Sequence, residues 1–303
     1  MSLAIDEAAP IVTGVELGGT KAIAVIGRGS TIFESISIPT AGPAETLAAL
    51  ASQLDVWARR WQPQALGIAS FGPIAIHPDR ADYGHLLPTP KAQWAGVDIV
   101  RPLARLIDGP CLLHTDVTAA ALAEGRWGAG KGLADFVYVT VGTGIGMGIV
   151  VNGNPVVGQM HPEAGHLAVR RISGDAFPGV CPFHGDCLEG LASGPAIRAR
   201  SGVAGSDLSP ADPAWTYVAD ALAEAFASLL LTLAPRAIIV GGGVGLGQLH
   251  LLPRIRAGVR EKIRGYLPYV DQATLDRTLV SAALGDQAGP LGALRLGAIS
   301  LAR

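Results

Sequence analysis

A chain of 303 residues is long enough for one large or two ordinary domains, and a composition of 49% hydrophobic with 5% aromatic residues gives it an ample, mainly aliphatic core. A net charge of −2 excludes a whole-chain bias toward nucleic acid or an anionic membrane surface. Three cysteines, with no basic start followed by an apolar core and cleavage site, argue against a secreted disulfide scaffold.

The first ten residues carry no pattern, and Met1-Ser2-Leu3 reads as a leader. Three strands are expected next, at 11–17, 22–26 and 32–38, separated by glycine turns. Residues 45–61 have helical periodicity, and 65–70 is a short apolar strand. A strand at 110–114 runs into an Ala-rich helix at 117–124. A glycine-linked strand pair follows at 135–141 and 145–151, a weakened echo of the three-strand start. A long helix is expected at 213–233; its stretch from Ala221 carries Glu224 and stops at Pro235, so it reads as buried rather than membrane-spanning, and no apolar run is clean enough to cross a bilayer. A buried strand at 237–240, helix over 244–264, a strand at 279–283 and a helix after Gly289 complete the chain. Such alternation predicts an α/β protein of two related halves with a cleft between them.

Three glycine segments fall at strand ends: Gly18-Gly19-Thr20-Lys21, Gly142-Thr143-Gly144 and Gly241-Gly242-Gly243. Without a Cβ in the way, backbone N–H groups can approach phosphate oxygens closely. Any one alone is an ordinary hairpin; three together point to a nucleotide. A dinucleotide fingerprint starting at Gly142 fails, because its last position is Met147 and it joins two strands. A P-loop over Gly125 to Lys131 fails, because Gly132 stands where Ser or Thr is needed.

His166, Cys181, His184 and Cys187 offer the imidazole and thiolate donors of a tetrahedral Zn²⁺ site. Glu163 and Glu189 bracket them, and a closed metal site would fix both acids in space. Cys111 sits in an apolar run as a small core residue. Asp116 stands where a strand gives way to a helix. It can be a helix cap, or a base on a substrate hydroxyl at the strand end where ligands of open α/β sheets sit.

These residues resemble the ROK family of sugar kinases, within the two-domain actin-like, hexokinase-type ATPase (ribonuclease H-like) fold. The resemblance covers nearly the whole chain. It rests on Gly14-Val15-Glu16-Leu17-Gly18-Gly19-Thr20-Lys21, Thr115-Asp116, Gly142-Thr143-Gly144, Glu163-Ala164-Gly165-His166, the Cys/His loop and Gly241-Gly242-Gly243. The run Cys181-Pro182-Phe183-His184-Gly185-Asp186-Cys187 and on to Ala196, with Thr89-Pro90-Lys91 and Trp94, is similar to the fructokinase branch. The resemblance implies that Gly18, Gly19, Thr20, Lys21, Gly142, Thr143 and Gly144 hold the ATP phosphates. It places Gly241, Gly242 and Gly243 along the adenosine, Glu16 near Mg²⁺ through water, and Asp116 as the general base. Thr115, Asp116, Glu163, His166 and Glu189 would meet the sugar, and His166 would also ligate the structural zinc.

Two departures stand out. Thr115 replaces the Asn that many relatives carry before the base, and Thr118 replaces an Asn two residues after it. A hydroxyl cannot present both an amide donor and acceptor. Glu34, Asp98 and Glu124 read as solvated or capping acids. The domains are expected at 1–115, completed by a C-terminal helix at 287–303, and at 116–286. The implied reaction is ATP-dependent phosphorylation of a hexose at C6, foremost D-fructose, with mannose, glucose or an N-acetylated hexosamine as alternatives. A cytoplasmic homodimer is implied, with no nucleic-acid or membrane partner. Some ROK proteins are repressors with a helix-turn-helix module ahead of the first glycine hairpin; the stretch before residue 11 is too short to hold one.

Overall fold

Residues 9–302 are described by the computed structural model, so most of the patternless start lies outside the described residues. The elements in chain order are β1 (Ile11–Leu17), β2 (Lys21–Arg28), β3 (Thr31–Pro39), α1 (Pro43–Trp61), β4 (Leu66–Ser70), α2 (Arg101–Ala104), β5 (Cys111–Thr115) and α3 (Asp116–Trp127). Then come β6 (Phe136–Val141), β7 (Ile145–Val151), β8 (Asn154–Pro155), α4 (Leu188–Ala192), α5 (Gly194–Ser201), α6 (Ala214–Leu233) and β9 (Ala237–Gly241). The chain closes with α7 (Gly242–Gly247), α8 (Leu251–Ile263), α9 (Gln272–Thr278), β10 (Leu279–Ser281) and α10 (Ala288–Ser300). They form two units. One holds the chain up to Trp127, Pro155–His161 and the stretch from Asp286; the other holds Gly128–Asn154 and Pro162–Gly285. The division falls after Trp127 rather than at 115/116, because α3 packs on α10 within the first unit.

The sheet of the first unit runs β3-β2-β1-β4-β5. β1 is antiparallel to β2 and parallel to β4, and β4 is parallel to β5. The period of two along each strand sorts its side chains between the faces. Val15 and Leu17 of β1, with Leu66 and Ile68 of β4, join Leu50, Leu54 and Trp57 of α1 in one core. The alternate residues face α10. A Cβ at Gly67 would lie 1.9 Å from the Ala293 carbonyl oxygen, and one at Gly14 2.7 Å from the Ala293 Cβ. The same alternation turns Glu16, two residues on from Gly14, toward α10.

In the second unit the order is β10-β9-β6-β7-β8. β6 is antiparallel to β7 and parallel to β9, and β9 is parallel to β10. The strand order and sense match the first sheet, with β8 reduced to two residues where β3 has nine. α6 is 20 residues long, and by length and composition could cross a membrane; 56% of its most apolar stretch is buried within the protein. Trp215, Leu222 and Phe226 line its buried face. The helix expected over 244–264 is two helices, α7 and α8, broken at Gln248 after Gly245 and Gly247. The short helices α4, α5 and α9 were not expected from periodicity, since none completes three turns.

Candidate active site

In the first unit, the register that ends at Leu17↔Ala22 leaves Gly18–Lys21 as the turn at the C-terminal end of β1. Gly18 N–H donates to the Lys21 carbonyl at 3.0 Å, and Thr40 braces the turn with its hydroxyl on the Gly18 carbonyl (2.8 Å) and its N–H on that of Thr20 (2.9 Å). Gly19, Thr20 and Lys21 are exposed, so their donors are open to a ligand. Lys91 brings its Cε to 3.9 Å from where a Gly19 Cβ would lie, adding a cation that the sequence marked only as a branch signature.

Glu16 lies one step before Leu17, on the α10 face. Its carboxylate occupies the space a side chain at Gly289 would need: a Cβ there would sit 2.2 Å from Oε1 and 2.5 Å from Oε2. Burial, then the charges of Asp116 and Asp286, push the Glu16 carboxyl up to about 7, against the pull of Lys21. Asp286 and Gly289 escaped the sequence reading, because their link to Glu16 spans nearly the whole chain; the glycine just inside an apolar C-terminal helix was the one available hint.

Asp116 opens α3 at the end of β5. The cap of that helix comes from its neighbour: Thr118 N–H donates to Thr115 Oγ1 at 3.2 Å. The Thr115 hydroxyl in turn donates to Thr118 Oγ1 at 2.7 Å, with both residues buried. The two threonines therefore satisfy one another. A pair of hydroxyls thus stands where many relatives carry amides, and Thr115 also caps the helix. Asp116 is relieved of capping. Its Oδ1 accepts from the adjacent Val117 N–H at 2.8 Å, and burial pushes its carboxyl up to about 6. A carboxyl poised there is ionised at neutral pH yet basic enough to take a proton.

In the second unit, Gly142–Gly144 is the turn between β6 and β7, closed by Gly142 N–H on the Gly144 carbonyl at 2.9 Å. The β6–β9 pairing, which ends at Thr140↔Gly241, sets Gly241–Gly243 beside it. Gly242 has φ +81°, and a Cβ there would lie 2.5 Å from the Val141 carbonyl oxygen, so the backbone requires glycine. The two glycine loops thus lie side by side at the end of this sheet, with Thr143 and Gly243 exposed.

The four candidate metal ligands converge. Their donor atoms all lie within 4.8 Å of one another. His166 Nδ1 is 3.6 Å from Cys181 Sγ and 3.5 Å from Cys187 Sγ, and His184 Nδ1 is 3.7 Å from Cys181 Sγ. Zn–S and Zn–N bonds at the tetrahedral angle separate sulfur from nitrogen by about 3.6 Å. The donor set therefore fits zinc by spacing and by chemistry. Both cysteines are free thiols. Burial, with Cys181 alongside, pushes the Cys187 thiol up to about 11, a penalty that a bound dication reverses. Glu163 immediately precedes the short turn Ala164–His166, and its carbonyl accepts from His166 N–H at 3.0 Å. Glu189 accepts from Ile145 N–H at 2.9 Å through Oε2.

The acids set aside from the site divide. Glu34 accepts from the indoles of Trp57 (2.8 Å) and Trp61 (3.1 Å), and Asp98 accepts from the N–H groups of Val100 and Arg101 just before α2. Glu124 is a correction: it is fully buried in α3 rather than solvated. Cys111 is half-buried, and burial pushes its thiol up to about 12.

Two units of matching strand order, each with a glycine turn at its hairpin, define the actin-like, hexokinase-type ATPase fold. The ROK family model matches residues 12–298, and the chain belongs to the ROK family. It is 38% identical over 289 residues to a fructokinase of Pediococcus pentosaceus, covering 95% of this chain and 97% of that one. It is 38% identical over 294 residues to a fructokinase of Zymomonas mobilis, covering 93% and 94%. The ROK hexokinase of Thermus thermophilus superposes with a TM-score of 0.79 at 27% identity, covering 96% of this chain and 99% of that one.

Proposed function

We propose that this protein transfers the γ-phosphoryl group of ATP to the C6 hydroxyl of D-fructose. The observation that carries the reading is the 38% identity to two fructokinases over at least 93% of the chain. The mechanism follows from the residues. The turns Gly18–Lys21 and Gly142–Gly144 hold phosphate oxygens with backbone N–H groups, and Gly241–Gly243 lies along the adenosine. The Asp116 carboxylate accepts the C6 hydroxyl proton as that oxygen bonds to the γ-phosphorus and the bond to the ADP oxygen breaks. Glu163, His166 and Glu189 receive sugar hydroxyls. Thr115, with Thr118, holds the strand end from which Asp116 projects.

Glu16 would hold Mg²⁺ through water, and the ion would supply charge neutralisation at the β- and γ-phosphates. His166, Cys181, His184 and Cys187 would hold one zinc, with no open position and so no part in the chemistry. A cytoplasmic homodimer is part of this reading.

The test is a panel of sugars at matched ATP and Mg²⁺, read by ADP release across a concentration series. Fructose should give the highest kcat/KM and mannose a lower one, with N-acetylglucosamine and N-acetylmannosamine poor. The paired hydroxyls of Thr115 and Thr118 support this order, since no amide remains there to read a pyranose pattern. Preference for glucose or an N-acetylated sugar would reject the substrate while leaving the kinase standing.

A further inference from the structure

The Cys/His loop and the β6–β7 turn are joined by contacts that neither zinc binding nor sugar binding requires. Three of them grip the turn from residues that flank the segment carrying all four metal ligands. On the amide side, Ile145, the first residue after the turn, donates its N–H to Glu189 Oε2 at 2.9 Å. On the carbonyl side, Gly165 presses against the same residue, so closely that a Cβ there would lie 1.7 Å from the Ile145 carbonyl oxygen. At the other end of the turn, Gly142 accepts from Gly194 N–H at 2.7 Å. The Glu189 carboxylate also covers Gly144, where a Cβ would be 2.6 Å from Oε2.

Two of the gripping residues are tied to the ligands by short covalent paths. Gly165 adjoins His166. Glu189 is two residues past Cys187, whose sulfur accepts the Gly190 N–H at 3.5 Å as the cap of α4. Within the loop the packing leaves no slack: Cys181 and Gly185 exchange backbone hydrogen bonds of 3.1 and 2.9 Å, and a Cβ at Gly190 would lie 2.0 Å from the Gly185 carbonyl oxygen. A shift of either ligand therefore moves the group that holds Ile145.

We infer that Glu189 is a positioning residue for the Gly142–Gly144 turn, and that the Cys/His loop thereby sets nucleotide affinity as well as sugar binding. A carboxylate has two oxygens. Oε2 fixes the turn, and Oε1 is the one left for a sugar hydroxyl. With Ile145 N–H bonded to Glu189 and its carbonyl packed against Gly165, the N–H groups of Thr143 and Gly144 are presented in one geometry before nucleotide arrives, so binding does not have to order them. The inference rests on the reading that this turn holds nucleotide phosphate.

The experiment measures MgADP affinity by calorimetry with no sugar present, on the metal-loaded enzyme and on Thr143→Ala, Glu189→Ala and Glu189→Gln. Thr143→Ala tests the turn itself and should weaken nucleotide binding. Glu189→Ala should weaken it by about 10-fold or more, the usual effect of removing a group that orients a site. Glu189→Gln keeps an acceptor for Ile145 N–H and should restore most of the affinity. Wild-type MgADP affinity in Glu189→Ala, with a raised KM for fructose alone, would overturn the proposal and leave Glu189 a sugar contact. Wild-type affinity in Thr143→Ala would remove the phosphate reading of the turn and the proposal with it. Should Glu189→Ala fail to fold, hydrogen exchange on the wild-type enzyme decides. Chelation of the metal should speed exchange of the peptide spanning β6–β7 and weaken MgADP; unchanged exchange and affinity would overturn the coupling.

Discussion

Replacing Asp116 by Asn should abolish turnover and stabilise the protein in the same step. Asn keeps the size of the side chain and an oxygen to accept the Val117 N–H, now at 2.8 Å from Oδ1. It removes only the ability to ionise. Burial raises the Asp116 carboxyl from 3.8 to about 6. The folded protein therefore holds the proton more tightly than the unfolded chain does. The stability tied to that proton is fully present below pH ~4 and is lost as pH rises through about 6. A shift of about two units corresponds to ~3 kcal/mol at most, present as a penalty in the wild type at pH 8 and absent from the variant. Thermal melts should show D116N above the wild type by roughly 5–10 °C at pH 8, with the gap closing toward pH 4. Turnover should fall by ~10²–10⁴-fold while MgADP and fructose still bind. The wild-type kcat should itself decline as pH drops through about 6, as the base is protonated. A variant no more stable than the wild type at pH 8, or one retaining more than about a tenth of kcat, would refute the reasoning.

Two further outcomes are expected. Gly289→Ala puts a methyl group where the Glu16 carboxylate lies, so the acid must swing away; the Mg²⁺ concentration for half-maximal activity should rise about 10-fold with little change in melting temperature, as a titration of rate against Mg²⁺ will show. Elemental analysis of purified protein should find one zinc per chain, and Cys181→Ser should lose it together with stability, since metal binding free energy is folding free energy; a metal-free enzyme of full activity would end the zinc assignment.

Two strands bordering glycine turns were legible to the residue, β1 and β7, because the flanking glycines are a local signal, whereas β2 runs to Arg28 rather than 26 and β6 starts at Phe136 rather than 135. The Cys/His cluster was legible for the same reason, three of its four ligands lying within seven residues of one another. What local pattern cannot carry is the partner. Glu189 was marked as an acid beside the metal loop, but its hold on Ile145 crosses 44 positions and depends on how α4 docks on the hairpin. Glu16 was placed near a metal, but its neighbours Asp286 and Gly289 arrive only when α10 packs against β1. The split between α7 and α8 was missed because periodicity persists across it, while Gly245 and Gly247 weaken the helix enough for the chain to turn.

That α10 belongs with strands encoded more than two hundred residues earlier has a consequence for synthesis. β1 and β4 emerge from the ribosome early, with Gly14, Gly67 and Ala69 bare on the face that Ala293 and Leu296 will cover. The stretch between Trp127 and Asp286 takes roughly 10–30 s to make at ~5–20 residues per second. Throughout that interval the first unit has sheet without lid, and the second unit is complete at Gly285, before the last stretch of the first. The order of completion is thus the reverse of the order of translation. A ribosome stalled short of Asp286 holds a chain with an apolar sheet face exposed, the state in which chaperones would find it or aggregation would begin.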